Sequence, residues 1–230
     1  MYVNYPFVLC ILFGILAFIL YITDTKKIVR HKYGSYEVLE IYNALTYSEC
    51  DTLIEYSLKK GIATSHVLSI GTPEDTQYDI KSRDSKQVWI GKNEHPIAKK
   101  LSQLSSSLTG NPISRQEMLQ VAKYEKGGKF VPHYDACVYD DKEYCNKINK
   151  GAGQRRTTLM VYLNDSFKGG HTFFPTIDLS IKPEKGKAIL FWNIDNNENI
   201  PKEALHAGLE VESGEKWIVT VWDHVKDYIM

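Results

Sequence analysis

The chain carries no excess of either charge: Lys and Arg total 28, Asp and Glu total 28, and the formal net charge is zero. A basic face for nucleic acid is therefore not expected. Cysteine is sparse as well. Cys10, Cys50, Cys137 and Cys145 are too few for a scaffold built on disulfides, and 230 residues suffice for one sizeable core with a small accessory segment. Cys137 and Cys145 bracket a polar stretch and either close a loop disulfide in an oxidising compartment or stay as free thiols; counting alone leaves both open. No internal repeat is visible, which argues against solenoids and propellers.

Long apolar runs are scarce too, with one exception. Pro6 to Ile22 contains no charged residue, has Tyr5 and Tyr21 near its ends, and gives way sharply to Thr23-Asp24-Thr25-Lys26-Lys27. As a helix it would be roughly 25 Å long, near the lower limit for crossing a bilayer and suited to a thin membrane such as the endoplasmic reticulum. It lacks the basic leading region and small-residue cleavage site of a signal peptide, so an uncleaved anchor is expected. Residues 1–32 are accordingly assigned to a single-pass membrane anchor with its juxtamembrane stretch, and 33–230 to one folded domain, expected in the lumen. Orientation stays open, because Lys26, Lys27, Arg30 and Lys32 follow the run and the positive-inside rule would keep that side cytoplasmic.

Beyond the anchor, Tyr36 to Tyr42 reads as a strand. Thr46-x-x-Glu49 forms a capping box for a helix with Leu53, Ile54, Ser57 and Leu58 at helical spacing and Gly61 as its stop. Gly71 to Gln77 is a loop, Ser85 to Ile90 a strand, and His95 to Leu108 a second helix with Ile97, Leu101, Leu104 and Leu108 as its buried stripe. From Glu117 onwards short β segments crowd together: Leu119 to Tyr124, Phe130 to Asp135, Thr157 to Leu163, His171 to Phe174, Ala188 to Trp192, Leu205 to Val211 and Lys216 to Trp222. The pattern predicts a mainly β domain with flanking helices, a sandwich or jelly roll. The polar insertion from Cys137 to Arg156 is placed to act as a flap.

His133 and Asp135 stand two positions apart, so one extended strand would point both to the same face. His206, in a second apolar segment, supplies a third ligand. Two histidines and one carboxylate leave positions open on an octahedral metal, the facial arrangement of non-haem Fe(II) oxygenases. Zinc is disfavoured, since no cysteine-rich set of four closed ligands is evident. Further on, Lys216 begins a strand that is apolar on both faces, with Ile218, Thr220, Trp222 and His224 on its own side. A buried ammonium needs an anion, and a bound carboxylate would serve. Glu212-Ser213-Gly214-Glu215 reads as the turn of a hairpin that would set His206 and Lys216 in one wall.

These blocks together resemble the catalytic domain of the prolyl 4-hydroxylases, from roughly Tyr36 to Val225. The likeness rests on Leu119 to Tyr124, Pro132-His133-Tyr134-Asp135, Tyr162-Leu163-Asn164-Asp165 with Gly169-Gly170, and His206-Ala207-Gly208 through Lys216-Trp217 to Trp222-Asp223-His224. It implies a double-stranded β-helix core and Fe(II), 2-oxoglutarate, O2 and ascorbate. It also implies hydroxylation of peptidyl proline in a proline-containing peptide or collagen-like protein. By position His133, Asp135 and His206 match the iron ligands and Lys216 the partner of the distal carboxylate of 2-oxoglutarate. Tyr124 and Thr172 match positions near that cosubstrate. Arg155, Trp222 and His224 match positions tied to the peptide substrate, and Arg83-Asp84-Ser85 resembles a family segment. His171 departs from the family's usual glutamate; strand alternation would send it away from Thr172, leaving iron binding intact.

Against this stand plainer explanations. His31, His66 and His95 are read as ordinary surface or hydrogen-bonded residues, and Trp89, Trp192 and Trp217 as core. Tyr124 could be simple core, and Arg155 with Arg156 a solvated pair. A related lysyl or other peptidyl hydroxylase, and a membrane-anchored binding protein with a degenerate pocket, remain alternatives; a nucleic-acid demethylase fits less well without arginines after the distal histidine.

Overall fold

A computed structural model describes residues 27–65 and 83–229. The expected membrane anchor, the loop from Gly71 to Gln77, His66 and Cys10 lie outside these residues, and no described helix is long and apolar enough to cross a membrane.

The strand alternation decides the layering. In the chain's last strand, Lys216–His224, Trp217, Val219 and Val221 point one way and Ile218 and Trp222 the other, and all are buried. A strand covered on both faces belongs at the centre of a sheet between two layers. Numbered in chain order, the strands are β1 Ile28–Tyr33, β2 Tyr36–Ile41, β3 Ala63–Thr64, β4 Lys86–Ile90, β5 Leu119–Tyr124, β6 Phe130–His133 and β7 Arg155–Tyr162. They continue with β8 Lys168–Gly169, β9 Thr172–Phe174, β10 Leu179–Ile181, β11 Ala188–Trp192, β12 His206–Gly208, β13 Val211–Ser213 and β14 Lys216–His224. The major sheet has eight strands in the order β1-β2-β11-β7-β14-β5-β4-β3, and the minor sheet four in the order β10-β9-β12-β6. β13 and β8 pair separately.

Two helices cover the outer face of the major sheet: α1, Tyr47–Lys60, and α2, Pro96–Thr109. Cys50 and Leu53 of α1 and Ile97, Leu101 and Leu104 of α2 share one core with Val121, Leu159, Val161, Leu190, Val219 and Val221. The Thr46 and Glu49 capping box starts α1 as expected, and His95, read as unremarkable, caps α2 through a bond from the Ile97 amide. On the inner face, Val38, Tyr162, Ile189, Phe191 and Ile218 meet Phe174, Leu179 and Ile181 of the minor sheet in a second core. Two sheets facing across that core make the jelly-roll arrangement, with the helices on one side.

Four expectations change. Ile28–Tyr33, assigned to the juxtamembrane stretch, is an edge strand paired along its whole length with β2, so the folded unit begins before residue 33. Its alternating charges, with Arg30 on Glu37 and His31 on Glu40, are what an exposed edge needs and hid it from an apolar pattern search. The segment from Leu205 to Val211 is not one strand and forms no hairpin with β14. β12 joins the minor sheet, β13 pairs with β8, and the chain then crosses to the major sheet, because Val211 to Ser213 is held by Lys168 and Gly169 rather than by β14. β6 stops at His133, leaving Asp135 in the bend that follows. The insertion after it holds a helix, α3, Lys142–Ile148, capped by Asp141, and a disulfide between Cys137 and Cys145.

Candidate active site

The minor sheet brings the three expected metal ligands together. β12 runs antiparallel to β6 with His206 opposite His133, and their ring centroids lie 4.3 Å apart. The bend after β6 turns Asp135 back towards them, so one atom from each of the three residues falls within 4.8 Å of the others. Each imidazole is oriented from behind. His133 Nδ1 lies 2.8 Å from the Val131 carbonyl and His206 Nδ1 3.0 Å from the Ala204 carbonyl. A ring N–H donated there leaves Nε2 with its lone pair directed inward.

Asp135 is aimed from the major sheet. Its Oδ2 accepts hydrogen bonds from Thr158 Oγ1 at 2.6 Å and from Trp222 Nε1 at 2.9 Å, while Oδ1 faces His133 Nε2 at 3.8 Å. Burial by itself would raise this carboxyl, but the imidazoles of His206 and His133, the Arg155 guanidinium and the Thr158 bond hold it well below the usual range. Burial, then the neighbouring His206, push the His133 imidazole down. A charged carboxylate beside a neutral imidazole is the protonation state a divalent cation requires. Two nitrogens and one oxygen, with no fourth such ligand in the group among the described residues, fit an octahedral ferrous ion with open positions better than a closed zinc site.

The cavity that the triad lines is also walled by Tyr124, Thr172, Gly208, Lys216, Gln120 and Trp222, with Arg83 and Thr158. Lys216 is 3% exposed, and among the described residues its Nζ bonds only the Gly170 carbonyl, at 2.6 Å, with the Tyr124 and Tyr162 rings 5.6 and 5.5 Å away. No carboxylate among the described residues reaches it. Burial pushes the ammonium down to about 7, and a bound dianion would supply the missing charge. Tyr124 is thus cavity wall rather than plain core, and Thr172 is held by Tyr162, whose hydroxyl lies 2.7 Å from its Oγ1. His171 takes no part in the wall and bonds Ser180, as alternation predicts.

The residues matched to peptide binding separate. Arg155 does not float in solvent: its Nε and Nη2 grip Glu117, and its guanidinium lies 4.0 Å from the centroid of the Trp222 ring. Trp222 lines the cavity. His224 does not, because the register of β14 shifts after Asp223 and buries its ring, with Nε2 2.8 Å from Glu117 and Nδ1 2.8 Å from the Gly153 carbonyl. It braces the Arg155 partner instead of facing a ligand. Sequence reading missed the roles of Glu117, Thr158 and Gln120, which fall in no motif spacing of their own. Arg83 was noted by resemblance alone. Here it is buried, bonds Ser85 and Gln120, and lies 5.0 Å from the Phe130 ring centroid.

Comparison with known proteins agrees with this geometry. Residues 119–224 match the model of the 2OG-Fe(II) oxygenase superfamily. The chain is 35% identical over 181 residues to a putative prolyl 4-hydroxylase of Acanthamoeba polyphaga mimivirus, covering 78% of this chain and 71% of that protein. It is 32% identical to probable prolyl 4-hydroxylase 10 of Arabidopsis thaliana, covering 81% and 68%. Among solved structures, a viral collagen prolyl hydroxylase from Paramecium Bursaria Chlorella virus-1, in its 2OG complex, superposes with a TM-score of 0.65 at 36% identity, covering 82% of this chain and 96% of that one.

Proposed function

The chain belongs to the prolyl 4-hydroxylases of the 2OG-Fe(II) oxygenase superfamily, and from that premise we propose that it converts peptidyl proline to 4-hydroxyproline while 2-oxoglutarate and O2 become succinate and CO2. The observation that carries this reading is a single one: a buried lysine without an anionic partner among the described residues shares one cavity with the two-histidine, one-carboxylate cluster. An enzyme that only bound a metal would have no need of that cation, and burying it is costly.

Iron held by His133, Asp135 and His206 would supply the redox chemistry that couples oxidation of 2-oxoglutarate to that of the proline C4–H bond. The protein's own residues set the stage. Lys216 would hold the distal carboxylate of 2-oxoglutarate, with Tyr124 and Thr172 lining the same cavity as the three metal-ligand candidates. Thr158 and Trp222 hold Asp135 by one oxygen and leave the other for the metal. Arg155, fixed by Glu117 and 4.0 Å from the centroid of the Trp222 ring, would be the cationic group for a peptide carbonyl. Ascorbate would serve to restore the ferrous state. His133→Ala or Asp135→Ala should abolish both succinate formation and the one-oxygen mass gain of a proline-rich peptide. Persisting turnover in a metal-verified variant would remove that residue from the site.

The apolar run from Pro6 to Ile22 belongs to the same reading as an N-terminal membrane anchor in the endoplasmic reticulum. The paired Cys137 and Cys145 favour an oxidising lumen over the cytosol, against the count of basic residues that follow the run. Protease protection of the domain in sealed microsomes would test that placement.

A further inference from the structure

β6 ends at His133, and the bend that carries Asp135 leaves the minor sheet with no strand beside it. From Tyr134 to Asp140 no main-chain group bonds another main-chain group among the described residues. A stretch with so few backbone bonds opens easily by itself. Yet it has to deliver a carboxylate to the two imidazoles, so something outside it must fix its path.

One side chain does so. Gln154 Oε1 accepts from the Cys137 amide, and Gln154 Nε2 donates to the Cys137 carbonyl, both at 2.8 Å. A primary amide carries a donor and an acceptor in one plane, as a peptide group does, so this glutamine stands in for the strand neighbour that the bend lacks. Gln154 is itself anchored. Its own carbonyl accepts from the Val225 amide at 3.1 Å, and the next residue begins β7, which lies between β11 and β14 in the major sheet. Further along β7, Thr158 donates to the Asp135 carboxylate. A strand held on both sides thus grips the bend twice, the carboxylate through Thr158 and the backbone two residues later through Gln154.

We propose that Gln154 is a positioning residue for the metal site: by clamping the Cys137 backbone it keeps Asp135 turned towards His133 and His206. The inference rests on the metal-site reading above. Thr158 and Trp222 orient one carboxylate oxygen, but neither holds the main chain from which that side chain springs. The disulfide offers no comparable frame. It ties Cys137 to Cys145 of α3, a helix of 7 residues whose Lys142, Glu143, Asn146 and Lys147 are exposed and which belongs to neither sheet.

The test is an anaerobic Fe(II) titration of the full chain, well below the melting temperature of each metal-free variant, followed by a succinate assay. Gln154→Met keeps the length of the side chain and deletes both bonds, so ferrous affinity should fall about tenfold. At saturating iron its 2-oxoglutarate requirement should match that of the unaltered protein, because Lys216 is untouched. Gln154→Glu serves if the methionine variant does not fold: it keeps an acceptor for the Cys137 amide, loses the donor, and should weaken iron binding about threefold or more. Cys137→Ser combined with Cys145→Ser opens the disulfide and leaves the clamp, so its ferrous affinity should stay within about twofold. Unaltered affinity in folded Gln154→Met, or in Gln154→Glu where that variant replaces it, would overturn the assignment. A loss in the double serine variant equal to that in the glutamine variant would move the hold to the disulfide and overturn it too. A 2-oxoglutarate requirement that rises alongside the loss of iron would show a loosened cavity and count against a local clamp. Failure of the unaltered chain to take up Fe(II) would instead overturn the metal-site reading, and this inference with it.

Discussion

Lys216 is destabilising in the ligand-free protein and useful only when the cosubstrate is present. Its pKa falls from 10.5 to about 7 on burial, so the unfolded chain binds the proton more tightly than the folded one. The sign follows: the residue weakens the fold most at low pH, and the penalty is relieved as pH rises through about 7 towards 10.5. Lys216→Met should therefore leave the melting temperature of the ligand-free protein unchanged or higher, while removing the increment that 2-oxoglutarate gives; differential scanning fluorimetry with and without the diacid checks both. Thr158 acts at the opposite end of the cavity. Thr158→Val keeps the shape and deletes one of two donors to Asp135 Oδ2, so ferrous affinity should fall about tenfold, as for other partners of metal ligands. An anaerobic iron titration with unaltered affinity would show that Trp222 alone positions the carboxylate.

Among the elements, the site depends on the seam between the two sheets rather than on either one. β12 carries His206 in the minor sheet, β14 carries Lys216 in the major sheet, and the chain between them is pinned by β13 on β8. Gly170 closes that seam. It has φ of +64°, and an added Cβ would lie 2.8 Å from the Phe167 ring and 3.2 Å from the Lys216 stem. Gly170→Ala should strain the turn by about 1 to 3 kcal/mol and displace the ammonium, raising the 2-oxoglutarate requirement about tenfold or more in a succinate assay. An unchanged requirement would mean that the turn yields without moving Lys216. The flanking helices play a different part. α1 and α2 bury Leu53 and Leu101 completely against the outer face, backing the strands that present Thr158, Lys216 and Trp222 without touching the cavity.

For the whole molecule, acid stability should be governed by buried carboxylates that are charged in the fold. Glu117 is the clearest. Burial opposes its charge, yet Arg155 and His224 lower its pKa from 4.5 to about 2. A folded value below the unfolded one gives stability that is fully present above about pH 4.5 and lost as pH falls through 2. Calorimetric melting between pH 6 and pH 3 should show this slope, and Glu117→Gln should flatten it while loosening Arg155 from Trp222. The sequence alone determined the elements that rest on local pattern: the Thr46 and Glu49 cap, the bounds of β5 and β11, the two faces of β14, and the choice of His133, Asp135 and His206 as a group that could hold a metal ion. Alternation and capping are properties of neighbouring residues, and so are readable along the chain. Tertiary structure decided the rest. It moved β1 into the major sheet, split β12 from β13, bent Asp135 out of β6 and turned His224 inward onto Glu117. It also assigned Thr158 and Glu117 to the site. Each of these depends on which distant strand supplies the hydrogen-bond partner, and pairing between segments far apart leaves no periodic mark in either of them.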